Sequence, residues 1–158
     1  KENFQIVRLS PLAEDLTNEQ CSVLADIVEV RTLKDDEHLI NEGEKDDSLY
    51  VVIKGKLAVT KSGSGEEKLT LHILKAGDLA GAMGFVDGAE HSATLVSLGE
   101  SEVFSLNRTK LEALLDSNGP LVYQVMRSIV RSVHMILRRM NTQHVELNNY
   151  INRQHGRF

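Results

Sequence analysis

The chain lacks tryptophan altogether and carries one cysteine and two prolines among 158 residues. Cys21 alone cannot close an internal disulfide or hold an iron–sulfur cluster, and a lone thiol fits a reducing compartment such as the cytoplasm. No apolar run reaches the roughly 18 residues needed to cross a bilayer, and the opening KENFQIVRLS has no apolar core of a secretory signal. A cytoplasmic domain that does not enter a membrane is expected. No nucleophile stands at a recognised spacing from a base, and no paired-carboxylate motif occurs, so no catalytic residue is assigned and no enzyme is expected. The six histidines show no ligand spacing; His134 and His144 are ten residues apart, too far to share a metal from one helix. The acidic runs KDDEH and EKDDS lack the glycine and closing glutamate of a calcium loop and read as solvated turns.

What is present suffices for one core: 41% hydrophobic and 26% charged residues. The net charge of −5 is uneven. Residues 1–118 hold 12 Lys and Arg against 22 Asp and Glu, whereas residues 119–158 hold six arginines against Glu146 alone. An acidic body is not the surface of a general nucleic-acid binder. Arg127, Arg131, Arg138 and Arg139 read as a solvated helix face or as ion pairs with the acidic body of either chain.

LTNEQCSVLADIVE opens on Thr17 with Gln20 three residues on, a capping box ahead of a helix. From Val30 to Leu106 the texture turns to short alternating runs (SLYVVI, KLAVT, KLTLHIL, SATLVSL, EVFSL) broken by glycines and acidic clusters. Six or more such strands predict an antiparallel roll or sandwich, with KSGSGEE as a hairpin tip. Asn107 caps a short helix, RTKLEALLDS, that ends at NGP. A helix from Leu121 to about Tyr150 follows, without glycine or proline. Met126, Ile129, Val133, Ile136, Met140, Gln143, Leu147 and Tyr150 alternate at spacings of three and four, a heptad seam. The seam predicts a homodimer; it could also lie along the chain's own β domain, and the two are compatible on different faces. The expected division is 1–118 for the β domain with its leading helix and 119–158 for the dimerisation helix.

LINEGEKDDSLYVVIKGKLAVT (39–60) and LKAGDLAGAMGFVDGAEHSATL (74–95) together resemble the cyclic nucleotide-binding domain of the Crp/Fnr regulators and of the protein kinase A regulatory subunits. Gly43–Glu44, SLYVVIKG ending at Gly55, Gly77–Asp78, Gly81, Gly88 and Ser92–Thr94 carry the likeness. The resemblance implies an α+β fold: a jelly-roll-like antiparallel β-roll of about eight strands, flanking helices and a long C-terminal helix that dimerises. It further implies a phosphate cassette at Gly81, Ala82, Met83, Gly84, His91, Ser92 and Ala93, with backbone amides of one helical turn facing an anion.

Two positions depart from the family pattern. The glutamate that takes a ribose hydroxyl is Ala82, and the arginine that neutralises the cyclic phosphate is His91. Ungapped extension puts the base-side contacts on Ile136 and Leu137. Each charged hydrogen bond contributes about 1.5–3 kcal/mol, so losing two weakens binding by about two to four orders of magnitude. cAMP and cGMP are therefore disfavoured as ligands, and no other cofactor is assigned. The expected function is a regulatory domain with a degenerate cassette, acting through dimerisation and protein partners. The alternatives are a true cAMP or cGMP sensor in which a bound phosphate keeps His91 protonated, and a purely structural dimerisation scaffold. The chain ends at NRQHGRF without residues for the helix-turn-helix domain of Crp/Fnr factors, so this chain alone is not expected to read DNA.

Overall fold

Thr17 accepts the Gln20 amide at 3.1 Å while the Gln20 side chain accepts the Thr17 amide at 2.9 Å, and this reciprocal cap starts α2 (Asn18–Ile27). The computed structural model describes residues 3–63 and 68–155, with the backbone alone over 143–155. Gln143, Leu147 and Tyr150 of the expected seam, and most of the KSGSGEE tip, lie outside the described residues or side chains. A short helix α1 (Phe4–Arg8) and a 3-10 turn (Pro11–Ala13) precede α2.

The strands are β1 (Val28–Leu33), β2 (His38–Ile40), β3 (Ser48–Ser62), β4 (Lys68–Leu74), β5 (Leu79–Ala80) and β6 (Thr94–Asn107). They pair antiparallel in the order β1-β6-β3-β4, with β2 also on β6 and β5 also on β3. Six strands, not about eight, are described, because β3 and β6 each continue through a corner of the roll. Their register shifts between Val52 and Lys56 mark the corner. Gly55 makes it possible: at φ +84° any Cβ there would lie 2.6 Å from the Ser101 Cβ.

Two apolar clusters follow. Leu33, Val52, Leu57, Leu74, Leu95 and Val103 fill the roll, and Leu12, Leu24, Leu49, Phe85, Phe104 and Leu121 join the roll to the helices. Helix α3 (Ala82–Asp87) sits against the second cluster. Asn107 caps α4 (Arg108–Glu112) through the Lys110 amide, as its sequence predicts.

The last helix, α5 (Gly119–His155), is 37 residues long and shares the core, with Leu121, Val125 and Ile129 all buried. This changes the expected seam. Ile129 is 2% exposed and packs within its own chain, and Ile136 also faces the body. Met126 and Val133 pack partly on the same core. Apart from Met135, which lies on another flank, the apolar side chains that α5 turns to solvent are Tyr123, Val130, Leu137 and Met140. With Met126 and Val133 they repeat at three and four, a stripe rotated roughly 50° from the one read in the sequence. Arg131 hydrogen-bonds Glu14 and, at 3.0 Å, Asp15, while Arg139 reaches Asp78 at 3.2 Å. Both arginines thus tie α5 to its own acidic body.

Candidate functional site

Strand β5 pairs with Tyr50 and Val51 and delivers the chain to Gly81, which turns left-handed at φ +80°. A side chain there would press on the Ser48 carbonyl at 3.1 Å, so glycine is required by both conformation and space. Helix α3 then makes its first backbone bond from the Phe85 N–H to the Gly81 carbonyl, 3.0 Å, and the buried Phe85 ring pins the turn. Ala82 is half-buried against the core and Met83 is 61% exposed. Gly84 lies close under the loop: a Cβ on it would meet the Asp46 carbonyl at 3.1 Å and the His91 ring at 3.2 Å.

His91 is clamped by its backbone. Its N–H donates to the Glu44 carbonyl and its carbonyl accepts from the Gly43 N–H, each at 2.8 Å. Its ring is turned inward, with only 6% of the side chain exposed. Nε2 stands 3.5 Å from Asp46 Oδ2, an electrostatic contact with no hydrogen bond, since Nε2 has no hydrogen-bonding partner among the described residues. Asp46 is the hub of this cluster. It accepts from the Tyr50 hydroxyl at 3.0 Å and from the Ser48 N–H at 3.1 Å. Burial, and then the Asp46 charge, push the Tyr50 phenol up to about 12.

The structure therefore brings Gly81, Ala82, Gly84 and His91 together, with Ser92 exposed and Ala93 half-buried just beyond. It separates the two base-side residues. Ile136 lines a cavity of about 230 Å³ beside Gly77, Asp78 and Leu79, whereas Leu137 is 52% exposed on another flank of α5.

Asp46 and Tyr50 were not legible as site residues. EKDDS reads as a solvated turn, but Asp46 carries three contacts and Asp47 meets the Arg108 guanidinium at 3.4 Å. The usable signal is the glycine at position 84, which leaves room for the histidine ring below it. Among the described residues no group of His, Cys, Asp and Glu is arranged to hold a metal, and no helix is long and apolar enough to cross a membrane.

Residues 30–118 match the family model of the cyclic nucleotide-binding domain. The cyclic AMP receptor protein of Thermus thermophilus is 28% identical over 106 residues, covering 67% of this chain and 49% of its own length. The chain thus spans about half the length of such curated relatives. Among solved structures, a cyclic nucleotide-binding domain from Methylobacillus flagellatus superposes with TM-score 0.80 at 24% identity, over 92% of this chain and 82% of that one. The regulatory subunit of a cAMP-independent protein kinase A from Trypanosoma brucei gives TM-score 0.66 at 22% identity, over 80% of this chain and 45% of that one. A mutant of that subunit, solved with cAMP in its A site, gives 0.68 at 20% identity, over 82% of this chain and 45% of that one. These matches and the antiparallel roll with its long C-terminal helix agree: the chain belongs to the cyclic nucleotide-binding domain family.

Proposed function

We propose that this domain is a cytoplasmic regulatory module whose cassette does not capture cyclic nucleotides at cellular concentrations and which acts as a homodimer presenting a surface to a protein partner. One observation carries the reading. The side chain at the family's arginine position, His91, is buried beside Asp46, while Ala82 offers no acceptor to a ribose hydroxyl. Any anion at the cassette would meet a histidine already facing a carboxylate, instead of a fixed guanidinium. With two charged hydrogen bonds missing, an affinity that is micromolar in a complete cassette falls by about two to four orders of magnitude, to about 0.1–10 mM. The cAMP-independent regulatory subunit from Trypanosoma brucei supports the idea that this fold can regulate without cAMP.

Titration calorimetry with cAMP and cGMP at pH 7.5 is the direct test. A constant no tighter than about 0.1 mM is expected, and a micromolar constant for either nucleotide would overturn the reading. Dimerisation is supported by the stripe of exposed Tyr123, Val130, Leu137 and Met140 with half-buried Met126 and Val133 between them, too apolar and too regular for an unpaired helix surface.

A further inference from the structure

Strand β4 is an edge strand, and Leu71 and Ile73 on it are 54% and 38% exposed. They line a groove of about 500 Å³ with Lys56 and Lys75, closed on one side by Arg139 of α5. Beyond Arg139 the groove continues along α5 for about 440 Å³, past Met135, which is 60% exposed, and Arg138. This is an apolar floor with a cationic rim in a chain whose body is otherwise strongly acidic. Residues 48–77 hold Lys54, Lys56, Lys61, Lys68 and Lys75 against Glu66 and Glu67, while residues 1–118 as a whole hold 12 basic against 22 acidic residues. Arg139 is the pivot: its guanidinium bonds Asp78 at 3.2 Å and lies 3.5 Å from the His72 ring, so strand and helix are held at a fixed separation.

The groove is distinct from the proposed dimer stripe. At about 100° per residue, Met135, Arg138, Arg139 and Thr142 point roughly 160° away from the Tyr123–Met140 stripe around α5. A partner helix on that stripe leaves this flank free. Open-ended strand pairing is also disfavoured, because the register between β3 and β4 slips at Leu71, a bulge of the kind that blunts sheet edges. Lysines at a strand edge commonly serve only to keep it soluble. Here they frame three exposed large apolar side chains drawn from two elements, which solubility does not explain.

We infer that the β4–α5 groove docks an acidic peptide segment of a protein partner, its apolar side chains over Leu71, Ile73 and Met135 and its carboxylates toward Lys56, Lys75 and Arg138. Charge complementarity selects this occupant over a basic or neutral one. The test is fluorescence anisotropy on the whole chain with three labelled synthetic peptides: alternating glutamate and valine, glutamate alone, and alternating lysine and valine. The glutamate–valine peptide should bind with a micromolar constant that weakens as salt rises, the other two at least about tenfold more weakly. Leu71→Asp, and separately Lys56→Glu with Arg138→Glu, should each weaken it by about tenfold or more without lowering the melting temperature, since all three side chains are exposed. Three results would overturn the inference: no binding by any peptide below about 1 mM, equal binding by the glutamate-only peptide, or loss of a dimer on sedimentation of Leu71→Asp, which would make the groove a contact between copies.

Discussion

Two adjacent residues on α5 separate the folding role of the helix from its association role. Ile129 is 2% exposed and Val130 is 66% exposed. Aspartate at position 129 must enter the core as a neutral acid. At pH 7, about three units above the ordinary carboxyl pKa, that protonation costs about 4 kcal/mol. The lost isoleucine burial adds about 2–3 kcal/mol. The sum approaches or exceeds the stability of a marginal domain, about 5–15 kcal/mol in all. Ile129→Asp is therefore expected to yield a chain that is unfolded or melts far below the parent. Val130→Asp sits in solvent in the monomer and changes its stability by about 0.5 kcal/mol at most, since valine and aspartate have similar helix propensities. In the dimer it places a charge in the apolar stripe, and dissociation should shift by more than tenfold. Light scattering after gel filtration, with thermal melts of the same samples, reads both effects. A folded dimeric Val130→Asp would refute the seam, and an Ile129→Asp melting within a few degrees of the parent would refute the core assignment.

Three further outcomes are expected. Ala82→Glu with His91→Arg should raise cAMP affinity at least about tenfold by calorimetry, since one recovered charged hydrogen bond contributes that much; no gain would mean the roll is closed elsewhere, Ile136 being the residue facing the Gly77–Leu79 turn. Gly55→Ala should lower stability by about 1–3 kcal/mol in urea unfolding, because its Cβ would stand 2.6–2.8 Å from Ser101 and the Glu100 carbonyl at φ +84°. Tyr50 has its folded pKa raised from about 10 to about 12, so the folded state keeps the phenol proton more tightly than the unfolded chain. Its contribution is complete below about pH 10 and lost as pH rises toward 12; Tyr50→Phe should abolish that part of the alkaline decline in melting temperature, and an unchanged decline would assign it to other groups.

Local rules carried most of the fold. The capping box at Thr17, the cap at Asn107 and the glycine corners act over a few residues, so their chemistry is written in adjacent positions. The six or more strands read from the sequence agree with the six described. The count of about eight implied by the resemblance is higher because a strand that bends through Gly55 breaks its alternation without breaking its ladder. Which apolar side chains of α5 face solvent was hidden for a similar reason. Residues 129 and 130 are both apolar, and a three-four repeat can be drawn through either; only the position of the body decides which one is covered. Ala82 and His91 were legible as departures from the family pattern, but the Asp46 contact was not. It joins residues 45 positions apart through a loop that carries no periodicity.

That contact bears on what a histidine does at the arginine position. A fixed arginine repels protons and other cations but always welcomes phosphate, whereas a buried histidine needs a local anion only when it is charged. Asp46 is held in place by the Tyr50 hydroxyl and the Ser48 amide, so it faces the ring without any cost of bringing a second molecule from solution. A ligand phosphate has that cost and must also approach a site where one carboxylate is already seated. The loss of the guanidinium and the presence of Asp46 therefore act in the same direction. Restoring the arginine alone should recover less affinity than restoring it with Asp46→Asn, because only the second change removes the competing anion; equal affinities in the two variants, measured by calorimetry with cAMP on an Ala82→Glu background, would show that Asp46 plays no part in excluding the nucleotide.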